Sequence, residues 1–325
     1  MNTDVILKLK NASMLSEQEL TPELISTGSY ALNKVISGKY NGGIPIGMIT
    51  QFIGQASTAK TVFGTHILRE AQRKGYHTLI IDSENAYNPT FARTLGVDPE
   101  KLIYAAPETV EECFDTIEKI INSIRTEDTS TPIVVFYDSL AVSPSKAEMD
   151  AEGYEGNNMQ GATRAKMIGA CLRKINPSLR PKKVALVLVN QIRTKVGVMY
   201  GDPRVAAAGG NALEYYLGVN LETSKTDTVG EKDNPTGIRG KVKNKKNKLI
   251  EPFKVCDYEL MFNEGLNSYY GLLPHLERDG IIERGGSWYT VKATGKKFQS
   301  AHLKDLIESD DEGMLPVIKA IKGEL

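Results

Sequence analysis

An α/β fold built on a mostly parallel sheet is predicted by two features of the sequence. From residue 48 to about 262, short apolar runs alternate with longer amphipathic ones. Two of the short runs, Ile133–Tyr137 (IVVFY) and Val184–Val189 (VALVLV), are nearly continuous β-branched and aliphatic stretches, as in strands covered by helices on both faces. The pattern changes after about residue 264, which predicts a separate small α+β lobe over 265–325.

Taken in order, residues 1–25 read as a short polar helix and linker. Met48–Ile53 (MITQFI) reads as a strand and Val62–Lys74 as the helix after it. Thr78–Asp82 (TLIID) is a strand, Pro89–Leu95 a short helix and Leu102–Ala105 a strand. Over Val110–Ile124, Val110, Phe114, Ile117, Ile121 and Ile124 recur at helical spacing and make one apolar face. Met159–Ile175 is the helix between the two apolar strands, and 26–264 form one core. In the lobe, helical stretches flank a small Trp288–Val291 strand and the chain closes on Leu315–Leu325. The run 239–248 (RGKVKNKKNK) holds six basic residues in ten and by itself reads as a solvated surface loop.

Composition narrows the function classes little. Lys plus Arg equals Asp plus Glu, 40 each, so the whole-chain charge gives no hint of a nucleic-acid partner, although a local basic surface would suffice for one. Three distant cysteines (Cys113, Cys171, Cys256) without a C-x-x-C pair argue against a disulfide framework or a zinc site. No apolar run reaches signal-peptide or membrane-span length, so the expected address is the cytoplasm, with no membrane partner.

The stretch 54–61 (GQASTAKT) is one residue away from the phosphate-loop pattern G-x-x-x-x-G-K-[ST], with Ala59 in place of the last glycine. A phosphate loop must follow a buried strand and open a helix, because backbone N–H groups at the helix start hold the phosphates; both neighbours are as required. Gly54, Gln55, Ala56, Ser57, Thr58, Ala59, Lys60, Thr61 and Val62 would then line a nucleotide, with Lys60 on the β- and γ-phosphates and the Thr61 hydroxyl on Mg²⁺. An ordinary strand–helix turn is the alternative. Alanine at position 59 costs little if its φ is negative and about a kcal/mol or more if its φ is positive; it is a tolerated substitution provided that its φ is negative and its methyl points away from the phosphates.

Three further strand ends bear on the choice. Asp138 follows IVVFY, where an aspartate would organise the metal, and is expected on the strand neighbouring the phosphate loop. Read alone, it is equally an Asp-Ser turn. Glu84 lies just past TLIID and could position or deprotonate the attacking water; Gln191 follows VALVLVN and could report on a γ-phosphate through its amide. Ligands in open α/β sheets collect at the carboxyl ends of strands, so these residues would share one crevice.

With these residues in view, the chain resembles the RecA family of homologous-recombination ATPases from about Ile25 to Leu325. The likeness is carried by ISTGSYALNKVISGKYNGGIPIGMITQFIGQASTAKT, IDSENAYNPTFARTLGVDPEKL and VVFYDSLA, and most specifically by VNQIRTKVGVMYGDPRVAAAGGNALEYY. KNKLIEPFKVCDYELMFNEGLN and GGSWYTVK extend it into the lobe. The resemblance implies a RecA-like P-loop ATPase core, with ATP and Mg²⁺ as ligands, filament formation on single-stranded DNA, and strand exchange with double-stranded DNA. It implies that Glu84 activates water, that Gln191 senses the γ-phosphate, and that Phe91 stacks on adenine where the family usually has a tyrosine. It also implies that Lys246 and Lys248 reach the neighbouring protomer's ATP.

DNA contacts are implied in two Gly-rich stretches, about 152–163 and 193–209. The candidate DNA-binding residues, in these stretches or directly beside them, are Met159, Arg164, Arg193, Lys195, Val198, Met199, Tyr200, Arg204, Gly209 and Gly210. Single-strand-binding and loader proteins are the implied accessory partners. Besides Ala59, the departures are Asn88, where an aspartate commonly meets the adenine, and Glu214, at a commonly basic position near the expected protomer interface. The short N-terminal segment and the end at IKGEL resemble phage-encoded recombinases of the UvsX type, for which the address is the host cytoplasm. Two other readings stand beside this one. An ATP-gated DNA-binding scaffold with little hydrolysis is opposed by Glu84; a ring-forming helicase or regulatory ATPase is opposed by the lobe and the GGNAL stretch.

Overall fold

A computed structural model describes residues 22–150, 158–194, 204–206, 208–231 and 233–324. The segment expected as an N-terminal helix lies almost wholly outside them, as do Lys195, Val198, Met199 and Tyr200; no side chain is described at Met159, Arg193 or Arg204. One large sheet organises the molecule. Its parallel part runs β9 (Leu217–Glu231), β3 (Ile49–Gly54), β7 (Val184–Thr194), β6 (Ile133–Asp138), β4 (His77–Asp82) and β5 (Leu102–Ala105). Beyond β9 it continues antiparallel through β10 (Asn234–Asn247), β11 (Val255–Met261) and β12 (Gly265–Leu266).

The near-continuous apolar strands are explained by burial on both faces. Ile133, Val135 and Tyr137 of β6 pack into one apolar cluster, while Val134 and Phe136 pack into the other. The odd and even residues of β7 divide the same way. Helix α2 (Lys60–Arg73) covers the first face; α4 (Val110–Glu127) and α6 (Asn158–Leu179) cover the second. A short α1 (Tyr30–Ser37) precedes the sheet, and α3 (Pro89–Thr94) follows β4. The remaining core elements are β1 (Leu24–Ile25), β2 (Ile44–Pro45), α5 (Lys146–Met149), β8 (Arg204–Ala206) and α7 (Gly210–Tyr216).

Three expectations change. Asp138 does not lie on the strand next to the phosphate loop: β7 is inserted between β3 and β6. The basic run 239–248 is not a loop but the greater part of β10, because its residues alternate. Gly240, Val242 and Asn244 are buried while Lys241 and Lys243 face water, a period of two that a strand satisfies. Helix α6 begins at Asn158, one residue before the expected Met159, so the end of the stretch 152–163 expected as a loop is helical.

The C-terminal lobe has its own apolar core, from Leu272 to Ile321, which also takes in Tyr40. It comprises α8 (Leu273–Arg278), a three-stranded antiparallel sheet of β13 (Ile282–Gly285), β14 (Trp288–Val291) and β15 (Lys297–Gln299), then α9 (Leu303–Glu308) and α10 (Leu315–Lys322). Helix α1 joins the two units. Its Ala31, Leu32, Val35 and Ile36 enter the sheet's core, while Lys34 pairs with Asp279 at 2.6 Å and the Tyr40 hydroxyl donates to the same carboxylate at 2.8 Å.

Candidate nucleotide site

The phosphate loop is held from three sides. Phe52 of β3 stacks on Phe63 of α2, with centroids 5.2 Å apart, and Phe63 meets the edge of Tyr258 of β11 at 5.2 Å. The Tyr258 hydroxyl donates to the Thr58 carbonyl at 3.2 Å, and Thr58 Oγ1 lies 2.8 Å from Thr223 Oγ1. Gly54 is required where β3 ends, since a Cβ there would come within 2.4 Å of the Thr223 carbonyl oxygen. Gly64 is required for docking: a Cβ would lie 2.1 Å from the Phe136 ring, so only glycine lets α2 sit this close to β6.

That close approach brings Thr61 to Asp138 across the inserted strand. Thr61 Oγ1 donates to Asp138 Oδ2 at 2.6 Å, and the Lys60 ammonium donates to the Gln55 carbonyl at 2.6 Å. Both charged groups are more than nine-tenths buried. Burial pushes the Asp138 carboxyl up to about 6; the Thr61 hydrogen bond opposes this, and nearby Glu84 and Asp82 add to it. Burial also lowers the Lys60 pKa, against the attraction of Asp138 and Glu84.

Glu84 stands two residues past β4. Its Oε1 accepts from Ser139 Oγ at 2.9 Å, and Ser139 follows Asp138 through a cis peptide. The turn carrying Glu84 is organised by Asp82, which the sequence reading did not single out. Its Oδ1 accepts from the Glu84 N–H at 3.1 Å, and its Oδ2 accepts from the Tyr87 N–H at 2.9 Å and the Tyr104 hydroxyl at 3.2 Å. The signal was available as a strand-terminal aspartate in Asp82-Ser83-Glu84-Asn85, the composition of an Asx turn.

Gln191 lies opposite Gly54 in the parallel β3–β7 register and so at the mouth of the loop. It is inside β7 rather than past its end, because that strand continues to Thr194 and folds back on β8 through Ile192–Ala206, Arg193–Val205 and Thr194–Arg204 pairs. The loop residues 56–62, Glu84, Asp138 and Gln191 line one cleft of about 470 Å³. Lys225 of β9 lines it as well and was not anticipated. Thr61, Glu84 and Asp138 also line an adjoining hollow of about 190 Å³ with Tyr87, Asn88 and Phe91. Phe91 stands edge-on to Tyr87 at 5.7 Å, and Asn88 caps α3 by accepting from the Phe91 N–H at 2.8 Å.

Ala59 does not meet the condition of a negative φ. Its φ is 66°, in the left-handed region, and it is the N-cap of α2 without a side-chain cap. The methyl packs into the apolar cluster beside α2. The alanine is therefore strained by about 1–2 kcal/mol relative to glycine, and burial of its methyl offsets part of that cost.

The other candidates lie off the cleft. Lys246 donates to the Glu214 carbonyl, its pKa lowered by burial and then by Lys248; the Lys248 N–H donates to the Gly218 carbonyl at 2.9 Å. Arg164 is engaged with Glu148 at 3.9 Å and the Ala141 carbonyl at 3.5 Å. Gly209 and Gly210, with φ of 85° and 49°, turn the chain into α7.

A phosphate loop, a hydroxyl–carboxylate pair and a glutamate at the carboxyl edge of a mostly parallel sheet define a P-loop ATPase. Residues 5–267 match the RecA N-terminal domain family. Over 318 residues the chain is 37% identical to Protein RecA of Heliobacterium modesticaldum (strain ATCC 51547 / Ice1), covering 98% of this chain and 87% of that protein. The chain belongs to the RecA family, and is an ATP- and Mg²⁺-using, DNA-dependent ATPase and DNA recombinase that self-associates on DNA. Among the described residues, no helix is long and apolar enough to cross a membrane.

Proposed function

We propose that the cleft at Gly54–Val62 is the hydrolytic site, and that turnover there is set by Glu84. The observation that carries this reading is the convergence of Lys60, Thr61, Glu84, Asp138 and Gln191 on one cleft from β3, β4, β6 and β7. The donor set fits a magnesium nucleotide: Thr61 and Asp138 are a hard-oxygen pair, and Lys60 is a buried ammonium that donates to the Gln55 carbonyl. Thr61 and Asp138 would hold Mg²⁺, which neutralises phosphate charge when bound.

Lys60 and the backbone N–H groups of the loop bind the β- and γ-phosphates. Glu84, oriented by Ser139, takes the proton from water as its oxygen bonds to the γ-phosphorus and the bridging oxygen leaves with ADP. Gln191 donates its amide to the γ-phosphate, and Phe91 lies against the base from the adjoining hollow. Lys246 and Lys248, absent from the lining of their own cleft, serve the neighbouring protomer's site. DNA is bound by the stretches about 152–163 and 193–209, the second supported by the β7–β8 pairing that begins at Ile192, the residue after Gln191.

The lobe's separate core, together with the membership of Gly265–Leu266 in the large sheet, supports a functional division after β12. Single-strand-binding and loader proteins follow as partners, because a filament must displace whatever already covers single-stranded DNA. The compartment is the one that holds the DNA, the cytoplasm. ATP turnover measured with and without single-stranded DNA, alongside strand exchange on homologous duplexes, tests the reading. A rise of at least about tenfold on adding DNA is expected; DNA-independent turnover would overturn it.

A further inference from the structure

Three carboxamides cross the sheet in a row beneath the phosphate loop. Asn220 of β9, Gln51 of β3 and Asn190 of β7 are 6%, 1% and 0% exposed, beside the buried apolar side chains of Val219, Leu221, Phe52 and Val189. Gln51 Nε2 donates to Asn220 Oδ1 at 3.0 Å, and Asn190 Nδ2 donates to Gln51 Oε1 at 3.2 Å. At the far end, Asn190 Nδ2 also donates to the Ala208 carbonyl at 2.9 Å. Its Oδ1 accepts from the N–H groups of Gln191 at 2.9 Å and Ala208 at 3.3 Å.

The sense of the Asn190 amide is fixed by the backbone, since two N–H groups can be met only by its oxygen. All four of its bonding directions are then used. One side chain ties the residue that faces the nucleotide cleft to the residue that precedes the Gly209–Gly210 turn. Valine or leucine at these three positions would fill the sheet without burying any amide. A satisfied buried amide adds only about 1 kcal/mol to stability, and an unsatisfied one costs about 1–3 kcal/mol. The row therefore gives geometry rather than stability: it fixes how Asn190 is presented to both ends of the 191–208 span.

We propose that Gln51 and Asn220 are positioning residues that act through Asn190, and its bonds to Gln191 and Ala208, to couple nucleotide at Gln191 with the binding of DNA. The proposal rests on the reading of Gln191 and the 191–208 span given above. Coupling of this kind is reciprocal, so DNA affinity must respond to nucleotide as nucleotide turnover responds to DNA.

The test uses the full chain with Gln51→Met, which keeps length but removes donor and acceptor, and Asn220→Leu, which leaves all four Asn190 bonds in place. ATP turnover is measured with and without single-stranded DNA, nucleotide affinity without DNA, and DNA affinity with and without ATP. DNA-free turnover and nucleotide affinity are expected to stay within about twofold, while DNA stimulation falls about tenfold in Gln51→Met and about threefold in Asn220→Leu. The ATP-induced gain in DNA affinity should fall by the same factors. Undiminished stimulation in either variant overturns the proposal, and so does a parallel loss of nucleotide affinity, which would make the row a mere support of the phosphate loop. If Gln51→Met does not fold, Asn220→Leu decides alone. A wild-type chain without DNA stimulation overturns the functional reading and this proposal together. A stimulated wild type with equally stimulated variants overturns this proposal only.

Discussion

The nucleotide edge of the sheet and the basic strand β10 both concentrate charge, and they treat it in opposite ways. At the edge, Lys60 and Asp138 are buried with pKa values displaced toward their neutral forms. Along β10, Lys241 and Lys243 point to water between buried neighbours, Arg239 pairs with Glu259 at 2.7 Å and Lys245 pairs with Glu222 at 3.1 Å. Exposed lysines and surface pairs of this kind change stability by at most about 1 kcal/mol. Charge withdrawn from water without full compensation is costly, and it marks the place that a ligand completes.

The strongest way to break this comparison is at Glu84, a charged member of the cleft that, like Lys225, stays exposed. Glu84→Gln keeps the Ser139 contact and removes the base, so turnover should fall about 10³-fold with nucleotide affinity retained. Single-turnover hydrolysis and nucleotide titration check it; unchanged turnover removes Glu84 as the water activator. The converse test lies at the end of the basic strand. If Lys248 serves a neighbour's site, Lys248→Ala protomers mixed with intact ones should lower hydrolysis at intact sites by about 10²-fold where a variant protomer adjoins. Full activity of the intact sites in that mixture would leave Lys248 as a solvated charge.

Much of the sheet was legible in the sequence because its strands are buried on both faces and read as continuous apolar runs. The order of the strands was not. Nothing in IVVFY or VALVLV says that β7 lies between the phosphate loop and Asp138, since that order depends on how the crossovers wind. Lys60, Thr61, Glu84, Asp138 and Gln191 could be read from their positions at strand ends. Asp82 and Ser139 could not be ranked, because their work is to hold other side chains and turn residues of their types are common. Strand β10 was misread because six basic residues in ten outweighed the alternation of Gly240, Val242 and Asn244. Conformation at a single position, as at Ala59, is set by the tertiary frame and is invisible to composition.

The buried carboxylate gives a pH-dependent test of the same contrast. A carboxyl whose folded pKa lies above its unfolded value binds protons more tightly in the folded chain. Asp138 therefore favours folding fully below the ordinary value near 4, and that contribution is lost as pH rises through about 6. Without nucleotide, Asp138→Asn should be more stable than wild type at pH 7.5 by on the order of 2 kcal/mol, while losing Mg²⁺-dependent nucleotide binding. At pH 4 the difference should vanish. Denaturant melts at the two pH values check it, and an equal gain at both would trace the effect to packing of the amide rather than to removal of a buried charge.

The smallest expected effect separates strain from burial within the phosphate loop itself. Ala59 holds a left-handed φ of 66° that glycine would adopt without penalty, and its methyl is part of the apolar cluster on the α2 face. Ala59→Gly removes about 1–2 kcal/mol of backbone strain, but gives up the burial of one methyl, about 0.8 kcal/mol, and frees the unfolded chain. The terms nearly cancel, so stability should change by no more than about 1 kcal/mol in either direction. Nucleotide affinity should stay within about threefold, because the loop conformation is held by Thr58, Thr223 and Tyr258 rather than by residue 59. A gain of more than tenfold in affinity on restoring the glycine would mean instead that the alanine distorts the cradle, and that this chain tolerates a weakened nucleotide site.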